Sequence, residues 1–99
     1  MRPVSEKRKQ MREAERETRI AIRRRDGPGC FGQRVWPEVR CDYEFGLDKH
    51  ELLTRARGGD PTDPDNCVML CRAHHDAVHD HPDEAARRGL LIHSWEEET

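Results

Sequence analysis

The stretch 49–79, KHELLTRARGGDPTDPDNCVMLCRAHHDAVH, constrains this chain more than any other, because it gathers metal-competent side chains at spacings that dictate their use. Cys71 and His74 stand three apart, a spacing that offers a thiolate and an imidazole to one ion at a strand-to-helix corner. His75 and His79 stand four apart, so a helix from residue 71 to about residue 80 presents both imidazoles on one face. His50 and Glu51 lie upstream. A loop with Gly58-Gly59, two prolines and three aspartates then leads to Asn66.

The rest of the chain explains why a metal is needed. It has 99 residues, of which 33% are hydrophobic and 38% charged, against about 25% charged in an average soluble chain. That is one domain with a thin core, and small cores are usually stapled by a metal or by disulfides. Four cysteines and six histidines offer the means. No run of about 18 apolar residues is present, and the charged N-terminus lacks the apolar centre of a signal peptide. The expectation is therefore a protein of the reducing cytoplasm, with no membrane partner, whose cysteines bind metal rather than pair.

Cys30, Cys41, Cys71 and His74 form a tetrahedral ligand set suited to structural Zn2+. The Cys71-x-x-His74 half carries most of the signal, since the Cys30-x10-Cys41 gap is long for a zinc knuckle. Cys67, in an apolar strand with Met69, reads as a small core residue. His75 and His79 are then left without a structural duty. With His50 as third ligand they make a second site, one that leaves positions open on a hydrolytic ion.

Charge is divided along the chain. Residues 1–25 carry ten Lys or Arg against four Glu, while the remainder carries eight bases and sixteen acids. Such asymmetry suggests a basic arm for nucleic acid on an acidic body. Ser5 is placed to cap a helix over about 6–25, ended by Asp26-Gly27-Pro28-Gly29. Its few apolar residues make no wide stripe, which predicts an extended surface helix ordered by a partner. Arg16, Arg19, Arg23, Arg24 and Arg25 would follow a phosphate backbone. Beyond this arm (1–26), the domain covers 27–93. It contains an irregular knuckle over 30–46, short strands at 47–53 and 68–70, and the histidine helix. A second short helix begins at Pro82, Gly89 closes it, and residues 90–92 return as a strand. Residues 94–99 form an acidic tail.

With these residues in hand, the region from about 30 to 91 resembles the HNH (ββα-metal) endonucleases, in particular the small zinc-stapled type found in phages. Members carry a His or Asp metal ligand followed by a His general base, an Asn about fifteen residues on, and two metal-binding histidines. The matching positions are His50, Glu51, Asn66, His75 and His79. The resemblance implies an α+β, ββα-metal fold with a structural zinc and an N-terminal basic helix. It implies that Asn66 pins the catalytic loop, that Arg55 and Arg57 touch DNA phosphate, and that a phage terminase is a partner.

Glu51 departs from the pattern, standing where the family places its base histidine. Three assignments stay open: Glu51 as base with His50 as ligand, Glu51 as ligand with a histidine as base, and His50 as base in a shifted register. The first is favoured, because a carboxylate tuned by its surroundings can deprotonate water. The expected activity is hydrolysis of DNA phosphodiesters, by nicking or by double-strand cutting as a dimer or with a partner, using Mg2+, Mn2+, Ni2+ or Zn2+ as the second ion. The competing readings are a catalytically degenerate, zinc-stapled DNA-binding module and a structural or interaction protein.

Overall fold

A computed structural model describes residues 5–92, so the acidic segment 94–99 lies outside the described residues. Two antiparallel strands, β1 (Leu47–Glu51) and β2 (Cys67–Cys71), form the sheet in the register Leu47↔Cys71 to Glu51↔Cys67. Helices α1 (Glu6–Asp26) and α2 (Gly32–Val35) precede the strands, and α3 (Arg72–Asp80) and α4 (Pro82–Arg87) follow them. The result is a small α+β protein.

Alternation along β1 decides which residues meet which helix. Successive strand side chains point to opposite faces, so Asp48 and His50 share one and Lys49 takes the other. Asp48 and His50 meet His75 of α3, whereas Lys49 lies 3.7 Å from Glu15 of α1. The hairpin thus separates the histidine helix from the basic helix. The core of Trp36, Val68, Leu70, Val78, Ala85 and Leu90 is small. Each fully buried leucine contributes about 1.5–3 kcal/mol.

The turn α3–α4 follows from its sequence. His81 ends α3, and Pro82 begins α4 at a position where its missing N–H costs nothing. Gly89 closes α4 at φ 81°, a conformation that favours glycine. Residues 90–92 do not form the expected strand. They form no regular element; the Ile92 N–H donates to Leu52 O and Leu90 is buried in the core. β1 ends at Glu51, two residues short of expectation, because Leu52 and Leu53 turn into the loop that Asn66 holds.

The basic arm departs most from expectation. Helix α1 is capped by Ser5, whose hydroxyl accepts the Arg8 N–H, and Gly27 ends it, as expected. Yet it does not wait for a partner, because it is docked on the hairpin. Thr18 and Ile22 are buried, and Thr18 Oγ1 lies 2.6 Å from Thr62 O. Arg25, though exposed and paired with Asp26, donates to Pro64 O at 2.6 Å and Cys67 O at 2.8 Å. Two buried positions one turn apart are too narrow a stripe to announce themselves in a helix this charged. If α1 belongs to the folded unit, Ile22→Ala should lower unfolding free energy by about 2–4 kcal/mol in a urea melt. A freestanding arm would show no change.

Candidate metal centre and histidine cleft

The four residues Cys30, Cys41, Cys71 and His74 converge from three parts of the chain, and their ligand atoms all lie within 4.8 Å of one another. His74 Nδ1 is 3.4 Å from Cys30 Sγ, 3.5 Å from Cys41 Sγ and 3.2 Å from Cys71 Sγ. Tetrahedral zinc with Zn–S near 2.3 Å and Zn–N near 2.0 Å places nitrogen and sulfur at about 3.5 Å from each other. The donor set and its spacing therefore suit a zinc-type ion. All four cysteines are free thiols, and the fourth, Cys67, is fully buried away from the cluster in the core.

Local structure explains the convergence. Cys71 ends β2 in an extended conformation and also caps α3, its Sγ accepting the His74 N–H at 3.5 Å. A thiolate there meets the positive end of the α3 dipole. His74 Nε2 faces Trp36 O at 2.9 Å, which fixes the tautomer and leaves Nδ1 to the cluster. Gly32, which no sequence motif marks, lets α2 approach: a Cβ there would overlap the His74 ring. Burial raises the Cys30 thiol to about 11, against N–H donation from Cys71 and Gly32. Burial opposes ionisation of Cys71 as well. There the N–H groups of His74 and Asp42, the His74 ring and the Cys30 thiol prevail, and its pKa falls to about 7.

Beside this centre, Lys49, His50, Glu51, Thr54, His75, Val78, His79, Pro82 and Leu91 line a cleft of about 300 Å³. The His50 and His75 ring centroids are 5.5 Å apart, and those of His75 and His79 are 4.9 Å apart. This cluster is looser than the zinc-type centre. Among the described residues, only the Cys3His group brings three or more candidate ligand atoms within 4.8 Å of one another. His50 is buried, with Nε2 at 2.5 Å from Leu90 O. Burial lowers its pKa, so the ring is neutral near pH 7 and donates Nε2–H to that carbonyl.

Asp48, which was not expected at this site, contacts the cleft residue His75 from outside the lining. Its Oδ2 lies 3.4 Å from His75 Nδ1 and 3.5 Å from Arg72 Nε. The available signal is its place two residues before His50 on a strand, hence on the same face. Glu51 lines the cleft but is engaged: its Oε2 accepts the Arg55 N–H at 3.2 Å, and its Oε1 is 3.9 Å from the Arg55 guanidinium.

Asn66 is not in the cleft lining. It holds the loop that leads out of it, where Oδ1 accepts the Leu53 N–H at 2.9 Å and Nδ2 donates to Leu53 O at 2.9 Å and Asp60 O at 3.2 Å. A Cβ at Gly59 would collide with the Leu53 carbonyl, so this side-chain bridge requires glycine beside it. Of the arginines singled out in α1, Arg16, Arg19 and Arg23 line an open surface groove, whereas Arg25 is committed to the loop carbonyls. Arg24 and Arg57 are exposed.

In comparisons with protein-family models, curated proteins and solved structures, none matches the chain significantly. No helix among the described residues is long and apolar enough to cross a membrane.

The centre predicts a ligand-dependent fold. Purified protein should carry one zinc per chain by elemental analysis. Cys71→Ala should lose both that zinc and the cooperative melt, because metal-binding energy is folding energy in a domain this small. Cys67→Ser should keep the zinc. A cooperative, zinc-free Cys71→Ala protein would refute the staple.

Proposed function

We propose that the chain is a metal-dependent endonuclease of the HNH (ββα-metal) type that hydrolyses DNA phosphodiester bonds. The observation that carries this reading is the convergence of His50, His75 and His79 on one cleft, beside a separate closed Cys3His centre. A structural zinc site is completed by four protein ligands, whereas a hydrolytic one leaves positions open. Two adjacent donor sets of these two kinds fit a stapled hydrolase better than a purely structural protein. The order β1, β2, α3, with a cysteine corner between strand and helix, suits the same family.

His50, His75 and His79 would hold the second ion. His50 donates Nε2–H to Leu90 O, leaving Nδ1 unprotonated. Asp48 beside His75 Nδ1 orients that ring and frees Nε2. Ligating histidines typically give their other N–H to such a carbonyl or carboxylate. The lowered pKa of His50 keeps its lone pair available near neutral pH. When bound, a divalent ion supplies Lewis-acid stabilisation of the charge that builds on phosphate oxygens. Imidazole ligands favour nickel or zinc over magnesium.

Glu51, at the cleft, would take the proton of the attacking water, its carboxylate oriented by the Arg55 N–H. Asn66 would act at a distance, holding the loop between Leu53 and Asp60 so that Glu51 and Arg55 keep their relation. DNA is the substrate on this reading, and a phage terminase is a partner suggested by the family resemblance. The engagement of Glu51 by Arg55 also suits the second reading, a DNA-binding module whose site no longer cuts.

The test is nicking of supercoiled plasmid by zinc-loaded protein with added magnesium, manganese or nickel. Metal-dependent nicking should vanish in His75→Ala, which should remain folded with its zinc. Glu51→Gln should slow it by about 10²–10⁴-fold, the usual contribution of a general base. Equal cutting by His75→Ala refutes the cleft as the active site. A folded, DNA-binding protein that never cuts favours the second reading.

A further inference from the structure

The basic character of α1 is not spread evenly over one surface. Arg19 and Arg23 flank a groove with Gly27, Pro28, Gly29, Leu47 and Met69. Toward the other end of the helix, Lys7, Arg8, Met11, Arg12 and Glu15 line a groove of about 350 Å³ together with Arg55 of the loop, Arg12 and Glu15 also bordering the groove of Arg16, Arg19 and Arg23. Four cations therefore border this groove against one carboxylate. That carboxylate is compensated, because Glu15 lies 3.7 Å from the largely buried ammonium of Lys49. Arg55 joins the groove to the histidine cleft: its backbone N–H and guanidinium both face Glu51, which lines the cleft.

We propose that this groove, formed by Lys7, Arg8, Arg12 and Arg55, binds the phosphodiester backbone of nucleic acid and leads it into the histidine cleft. The inference deepens the endonuclease reading, since it names the path by which that site would receive its substrate. The occupant follows from charge: a row of exposed cations with one compensated acid attracts a polyanion. Neutralising phosphates with Lys and Arg also gains free energy by releasing counterions. Rigidity adds to it. Helix α1 is one continuous helix docked through Thr18, Ile22 and Arg25, with Glu15 facing Lys49, so its backbone is in place beside Arg55 without a ligand. Arg55 places this groove, and not the one at the far end of the helix, at the cleft edge. For that reason the N-terminal half of α1, rather than Arg16, Arg19 and Arg23, carries the strand being cut.

The experiment measures affinity without cutting, so that its failure and failure of the nuclease reading stay separate. Fluorescence anisotropy of a labelled DNA duplex is followed against salt, using zinc-loaded His75→Ala protein with no other divalent ion present. On that background, Lys7→Gln/Arg8→Gln/Arg12→Gln should weaken binding and flatten the log–log salt slope by about 2.7, at about 0.9 for each phosphate no longer neutralised. Glutamine is a good helix former, and an unchanged melt verifies that α1 stays docked. Arg16→Gln/Arg19→Gln/Arg23→Gln should change the slope by less than half as much. An unchanged slope in the first variant, or a larger change in the second, overturns the proposal. So does binding of polyglutamate as tight as binding of DNA at equal salt, which would make the groove a site for acidic protein.

Discussion

The placement of α3 against the hairpin passes through Cys71. One residue terminates β2, supplies the N-cap of α3 and brings a thiol into the four-residue cluster. The hairpin and the helix consequently cannot rotate independently. The direction in which α3 leaves the sheet is set by the need for His74 Nδ1 to meet three sulfurs. Once that direction is set, His75 on the next position faces Asp48 and His50 across β1, and His79 follows one turn on. The cleft is a by-product of that four-residue cluster. A core of so few apolar residues could not hold these polar side chains in register by itself.

Polar satisfaction completes what the Cys3His cluster begins. Three imidazoles are steadied by a second contact: His74 by Trp36 O, His50 by Leu90 O and His75 by Asp48. These contacts come from the end of α2, from the segment after α4, and from β1. Peripheral elements that look like filler thus orient the rings. Gly32 and Gly59 belong to the same logic, because each allows a backbone to approach a ring or an amide that a Cβ would push away.

Much of this is legible in the amino-acid sequence. The ligand set Cys30, Cys41, Cys71 and His74 follows from spacing and element choice, as do the common face of His75 and His79, the cap at Ser5 and the breaks at Gly27 and Gly89. These features are local or depend on a few strongly typed residues. What escapes a sequence reading is of a different kind. The docking of α1 rests on one threonine and one isoleucine, together with an arginine that serves backbone carbonyls, and no periodicity marks such a surface. Asp48 is hidden because Lys49 intervenes before His50, although a strand places Asp48 and His50 on one face. Residues 90–92 resemble a strand because they are an apolar triplet after a helix. Their actual task is to supply a carbonyl for His50 and a core leucine.

The loop between β1 and β2 is held in an unusual way. Its carbonyls at Pro61, Thr62 and Pro64 are taken, in order, by Lys49, Thr18 and Arg25, and Arg25 also serves Cys67 O at the start of β2. Surface loops normally accept insertions and length changes with little penalty. This one is measured against α1 and β1: one extra residue between Pro61 and Pro64 would slide these carbonyls past their donors and strain the amide that bridges Leu53 and Asp60. Its length should therefore be as tightly constrained as that of a core strand, and a change in it would have to be matched by a compensating change in α1.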